Sequence, residues 1–193
     1  DLYPDALEAV PEEAPLSKNK RLLKLTAIVD ASHASDLITR RSVTGYILFI
    51  GIIAIKGYSK RQNTVETSTY GSELVAMRIA LEALLEMRYT LRMLGIGFEE
   101  RSTMLSDNQS IIINTQLPTS SLKKKHNSVA YHKCREAVAA GIVRTGHING
   151  ISNIADLETK PLGNAEYYKY LHDLMFGRNM NEKNKDATHQ GEL

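Results

Sequence analysis

Between Leu22 and Gly95 the spacing of apolar residues changes period once, and this change restricts the fold more than any other feature. "LLKLTAIVD", Leu22 to Asp30, is an apolar and partly alternating run that reads as a first strand closed by a carboxylate. "TGYILFIGIIAIKGYS" splits at Gly51 into two β-rich runs, the pattern of a hairpin. Beyond the polar "KRQNTVETS" the repeat lengthens: Leu74, Met77, Leu81, Leu84, Leu85 and Leu91 recur at helical spacing until Gly95, and Ser68 or Thr69 is the predicted N-cap. Within the first turns of that helix stands Glu73. At about 100° per residue it lies roughly 60° from the middle of the apolar stripe, so it flanks the buried side, an orientation that a helix dipole alone does not require.

The remaining punctuation completes an α/β pattern. "STMLSDN", Ser102 to Asn108, reads as a short strand ending in Asp107, and "QSIIINTQ" as a short helix. "LPTSSLKKKHN" is a polar loop, "SVAYHKCREAVAAG" an amphipathic helix stopped by Gly141, and "IVRTGHI" a last strand. "SNIADLETK" reads as a helix that Ser152 caps and Pro161 limits, and "AEYYKYLHDLMF" as a further helical stretch. An antiparallel hairpin beside a parallel remainder is therefore expected.

Composition narrows the class. With 193 residues, 42% of them hydrophobic and 24% charged, the chain suits one ordinary domain with tails. It contains no uncharged apolar run near the length of a membrane span, and its acidic opening is unlike a secretory signal. One cysteine, Cys134, leaves no intramolecular disulfide framework and fits a reducing interior, so an intracellular location, cytoplasmic or nuclear and not secreted, is expected. Residues 1–15 hold five acids and no Lys or Arg; against the chain's net +2, this leaves +7 on the remainder, a moderate pointer to a polyanionic partner. The Pro- and Glu-rich opening has too few apolar residues to offset its ordering entropy and reads as a tail.

The chemistry-bearing residues fall at the edge such a fold uses. Asp30 and Asp107 end strands, Glu73 opens the long helix and Asp156 opens a late one, and strand carboxyl ends with the adjoining helix starts form the crevice of α/β sheets. Four gathered carboxylates repel one another unless cations neutralise them. An all-oxygen donor set favours Mg²⁺ or Mn²⁺ over zinc.

"VDASHASDLITRRSVTGYILF", "YSKRQNTVETSTYGSELVAM", "LSDNQS", "KKHNSVAYHKCREAV" and "NIADLETKPL", in this order, resemble the ribonuclease H domain of copia-type (Pseudoviridae) retrotransposon Pol polyproteins over Leu25 to Leu162. The resemblance implies a ribonuclease H-like α/β fold, a five-stranded mixed sheet flanked by helices. Together with the composition of the flanking residues, the expected division is an acidic linker or tail at 1–20, the ribonuclease H-like domain at 21–163, a C-terminal helical extension at 164–178 and a disordered tail at 179–193. The resemblance further implies that Asp30, Glu73, Asp107 and Asp156 are catalytic and ligate two Mg²⁺ or Mn²⁺ ions, one activating the attacking water and the other stabilising the leaving 3′ oxygen. The implied substrate is the RNA strand of an RNA–DNA hybrid, and the implied partner is an upstream reverse transcriptase domain of the same polyprotein.

Nucleic-acid contacts are expected from Ser32 and Asn108 beside the acids, where 2′-hydroxyls mark the RNA strand. Arg40, Arg41, Lys60, Arg61, Lys123, Lys124 and Lys125 are candidates for phosphates, and His126 for the substrate side. His147 falls near the place of a histidine that aids product release in some ribonucleases H, but the segment after it does not match that loop and the role is not assigned. Gly57 stands where the family commonly has Trp, and Glu158 where it has an apolar aromatic, which puts a charge near the core. These departures keep a second reading open, a catalytically decayed nucleic-acid-binding or structural domain supporting the polymerase. An integrase-type nuclease is a third, and the intact "YGSE" speaks against it.

Overall fold

β1 (Leu25–Ser32) organises the fold because it is bonded on both sides, antiparallel to β2 (Val43–Ile50) and parallel to β4 (Ser102–Ser106). The computed structural model describes residues 3–19, 21–117, 119–120 and 127–176. β3 (Ile53–Arg61) pairs antiparallel with β2 and β5 (Val143–His147) parallel with β4, giving a five-stranded mixed sheet in the order β3-β2-β1-β4-β5. The hairpin between β2 and β3 turns at Gly51, whose φ of 62° suits a residue without Cβ. The expected first strand is shifted by a few residues, so that Asp30 and Ser32 lie inside β1 near its carboxyl end.

Alternation along β1 feeds two cores. Leu25, Ala27, Val29 and Ala31 face α1 (Thr69–Met93), α2 (Gln109–Gln116) and α3 (Ser128–Ala139), where Leu74, Met77, Leu81, Leu84 and Ile111 are buried. Ile28 faces the other way, with Ile47, Phe49, Ile154, Ala155 and Tyr170, the last from α4 (Asn164–Phe176). That helix thus supplies a core residue to the sheet's second face, and the hydroxyl of Tyr170 donates to the carbonyl of Ile151 at 3.0 Å. No described helix is long and apolar enough to cross a membrane.

Two expectations require correction. The "SNIADLETK" segment forms two short 3₁₀ turns, Gly150–Ser152 and Ile154–Glu158, instead of one α-helix, and Asn153, not Ser152, caps the second. Asn153 holds both sides of the turn: its Oδ1 accepts from Ala155 N at 3.3 Å and its Nδ2 donates to the Val29 carbonyl at 3.2 Å. Gly45 admits this turn against the sheet, since a Cβ there would stand 2.4 Å from Thr159 Cγ2 and 2.8 Å from Glu158 Cβ. Glu158 is half-buried, and burial raises its pKa. Its Oε1 would be 2.6 Å from a Cβ on residue 57, so this carboxylate and the side-chain-free Gly57 occupy complementary space.

The acidic opening, expected to be a tail, is docked over its described part. Arg88 falls on the buried stripe of α1 and is 1% exposed. Its guanidinium donates to both Glu8 carboxylate oxygens at 2.6 and 2.7 Å, to Ser102 Oγ at 2.8 Å and to the Glu100 carbonyl, and it stacks on Phe98. Arg92 binds the same carboxylate. Apolar content failed as a guide here because the segment is held by charge: a buried guanidinium needs a carboxylate whatever the composition around it. Tyr3 Oη lies 2.6 Å from His132 Nδ1, and Asn19 Nδ2 donates to the Gly97 carbonyl at 2.9 Å.

Burial alone would raise the pKa of Glu8, but the hydrogen bonds and charges of Arg88 and Arg92 outweigh it and bring it down from 4.5 to about 2. Its contribution is present above pH 4.5 and lost as pH falls through about 2. Glu8→Gln should destabilise the domain at pH 7 by about 2 kcal/mol in urea unfolding, a gap that narrows over that acid window. Tyr170→Ala should remove about 3 kcal/mol in the same measurement, because α4 closes the second core.

Candidate active site

Three chain segments meet at the carboxyl end of β1. Asp30 projects from β1, Glu73 from the first turns of α1, and Asp107 follows β4 directly, and their carboxylates each offer an oxygen within 4.8 Å of the others. Parallel pairing of β1 with β4 brings Asp107 beside Asp30, and the N-cap Ser68, which accepts from Gly71 N at 3.2 Å, fixes where α1 begins. Asp30 is 1% and Glu73 5% exposed, and Glu73 Oε2 is buried without a hydrogen-bond partner. Glu73 thus faces inward, as its place on the helical wheel predicts.

Electrostatics follow from the crowding. Burial first, then the charges of Asp30 and Asp107, push Glu73 up to about 9; the Ala31 N–H and Lys160 offset only part of this. Asp107 is raised by burial and by Asp30. Asp156, on the second 3₁₀ turn, is raised by burial and by Asp30 and Asp107, with Lys160 opposing.

The structure draws the four expected acids as three plus one. Asp156 lies outside the 4.8 Å group and joins it through Lys160, whose Nζ is 2.7 Å from Asp156 Oδ1 and 3.3 Å from Asp30 Oδ2. Thr159 Oγ1 also donates to Asp30 Oδ2. Neither Thr159 nor Lys160 is among the site residues expected from sequence, although Lys160 follows Asp156 at the i,i+4 spacing at which opposite charges meet.

An open cleft of ≈ 570 Å³ lies over the acids, lined also by Ser32, His33, Thr69, Asn108, Gln109, Ser110 and Lys160. Ser32 and Asn108 are therefore at the site, with Asn108 Oδ1 committed to capping α2 through Ile111 N at 3.3 Å. His33, its Nδ1 3.3 Å from Ser72 Oγ, is a cleft residue with no sequence signal of its own. Arg40, Arg41 and Lys60 are exposed and line no part of the cleft, Arg40 with a φ of 55°. Arg61 is ion-paired with Asp36. Lys123, Lys124, Lys125 and His126 lie outside the described residues. His147 Nε2 is 3.1 Å from the Asp107 carbonyl oxygen, beside the site but exposed.

The donor set fits a hard divalent cation. Three carboxylates converge, one buried oxygen lacks a partner, and every donor is oxygen. Asp30, Glu73 and Asp107 would hold it.

The chain matches no protein-family model. It is 27% identical over 164 residues to a retrovirus-related Pol polyprotein from transposon RE2 of Arabidopsis thaliana, an alignment covering 85% of this chain and 11% of the relative. It is 31% identical over 136 residues to the corresponding polyprotein from transposon TNT 1-94 of Nicotiana tabacum, covering 70% and 10%. The chain thus spans about a tenth of the length of these relatives. Among solved structures it is similar to LC11-RNase H1 in complex with an RNA/DNA hybrid, with a TM-score of 0.54 and 15% identity over 70% of this chain and 94% of that one.

Ionisation of Glu73 costs the folded state nothing below pH 4.5, where the carboxyl is protonated in both states, and an increasing penalty as pH rises toward about 9. Without divalent cations, Glu73→Gln should therefore stabilise the protein at pH 7 by about 1–3 kcal/mol in urea unfolding. The gain should vanish below pH 4.5 and shrink when Mg²⁺ is added.

Proposed function

We propose that this ribonuclease H-fold domain, homologous to a segment of retrovirus-related Pol polyproteins of transposons, is a divalent-metal-dependent endonuclease that hydrolyses the RNA strand of RNA–DNA hybrids. It would act within a copia-type polyprotein, downstream of a reverse transcriptase. The observation that carries this reading is the convergence of Asp30, Glu73 and Asp107 within 4.8 Å at the floor of an open cleft, with a buried carboxylate oxygen unsatisfied.

Each residue's work follows from its place. Asp30, Glu73 and Asp107 would be the inner ligands, and Asp156, linked to Asp30 through Lys160, would be the outer carboxylate. When bound, two Mg²⁺ or Mn²⁺ ions would lower the pKa of an attacking water and stabilise charge on the leaving 3′ oxygen. The Thr159 hydroxyl holds Asp30 Oδ2, and strand pairing on both sides of β1 fixes its backbone, so this carboxylate does not rotate freely. On the rim, Ser32, Asn108, Gln109 and Ser110 present short polar groups. A hybrid duplex approximates A-form, whose shallow minor groove offers 2′-hydroxyls within reach of such side chains. Arg40 and Arg41, exposed in the β1–β2 connection, and Lys60, exposed on β3, suit phosphates farther along the duplex.

The engagement of Asp156 with Lys160 outside the inner group favours a second reading, a silent domain that binds duplexes without cutting them. Cleavage separates the two. A labelled RNA–DNA hybrid incubated with Mg²⁺ should be cut in its RNA strand, and Asp107→Asn should lower the rate by roughly a hundredfold or more. Wild-type protein that binds the hybrid but cuts no faster than the variant would replace the enzyme reading with the silent one.

A further inference from the structure

Among the described residues, Lys160 is the cation set against these acids. Its ammonium donates to Asp156 Oδ1 at 2.7 Å and straddles the Asp30 carboxylate, 3.3 Å from Oδ2 and 3.5 Å from Oδ1. Among the described residues no other Lys or Arg is ion-paired to any of the four acids. Its side chain is 39% exposed and lines the cleft, so a flexible four-carbon stem can carry the charge outward without disturbing the core. The two halves of the acid group therefore differ. Lys160 bonds directly to Asp30 and Asp156 and spans the space between them, whereas its charge reaches Glu73 and Asp107 without an ion pair to either.

We propose that Lys160 is a built-in counter-cation for the Asp30–Asp156 half of the site and imposes unequal loading: the Asp30–Glu73–Asp107 half takes the first divalent ion with Lys160 in place, and a second ion enters only as the lysine leaves. This rests on the metal-site reading above and adds an order of filling and the residue that enforces it. Lys160 acts through the carboxylates it occupies, which makes it a positioning residue. Its departure also frees an ammonium at the cleft wall when the second ion arrives, at the rim a nucleic-acid phosphate would approach.

The test is Mn²⁺ binding by isothermal titration calorimetry to the whole 193-residue chain, without nucleic acid, for wild type, Lys160→Met, Lys160→Arg and Asp107→Asn. Wild type should show one tighter and one weaker site. Lys160→Met should tighten the weaker site by roughly tenfold or more while leaving the tighter one within about threefold. Lys160→Arg, which keeps the charge, should retain the wild-type inequality, a contrast that lost packing would not produce. Two equal sites in wild type, or a weaker site in Lys160→Met that is unchanged or loosened, would overturn the proposal while leaving the metal centre standing. Loss of the tighter site in Asp107→Asn is expected; wild-type protein that binds no Mn²⁺ sensitive to that substitution would remove the metal centre and this inference together.

Discussion

Mutual repulsion among carboxylates at the carboxyl end of β1 is the force that the neighbouring structure has to contain. Asp30 could relieve it by shifting, but β1 is hydrogen-bonded to β2 on one side and β4 on the other, and Thr159 holds its carboxylate. Glu73 could turn outward, but it sits on the flank of a stripe whose leucines and Met77 are locked into the core. Asp107 comes directly off a strand held between two others. Rigid elements thus keep like charges close, and the unrelieved energy appears as a raised proton affinity at Glu73 and an unsatisfied oxygen. A cation site is built this way, since the strain in its absence becomes affinity in its presence.

The other end of α1 solves the opposite problem. Arg88, roughly 22 Å from Glu73 along the helix, is a buried cation, and the fold answers it with Glu8 from the chain's opening segment, assisted by Phe98, Ser102 and the Glu100 carbonyl. One helix therefore carries an excess of negative charge at its start and a compensated positive charge on its later turns. The first is only partly offset, by Lys160, where chemistry is proposed, and the second is neutralised where only packing is at stake. The segment before β1 thus supplies the anion that the Arg88 guanidinium needs in its buried position.

The second face of the sheet shows how departures from a family pattern can be absorbed locally. Gly57 leaves room on β3, and Glu158 places its carboxylate over that room, with burial raising its pKa. Gly45 lets the 3₁₀ turn lie on β2, which delivers Thr159 and Lys160 to Asp30. The same close approach that seats the turn thus supplies the groups that restrain and neutralise the central aspartate.

Periodicity is a local property, and what it governs was legible in the chain itself. The two-residue alternation of the strands, the stripe from Leu74 to Leu91, the turn at Gly51 and the cap at Ser68 or Thr69 follow from near neighbours, and with them the inward tilt of Glu73 and the ending of two strands in Asp30 and Asp107. Spacing alone could not find what depends on the path of the chain through space. Glu8 and Arg88 are eighty residues apart, and Asp30 and Thr159 farther still. Whether "SNIADLETK" coils as an α-helix or a 3₁₀ turn depended on Asn153 reaching the backbone of β1, and whether Asp156 joined the other acids depended on where that turn set Lys160. The sequence determined the strands, the long helix and the strand-end and helix-start positions of Asp30, Asp107 and Glu73, because these are encoded within a few residues. Tertiary structure alone decided which charges are answered and by what, because a counter-ion is chosen by proximity in space and not by position along the chain.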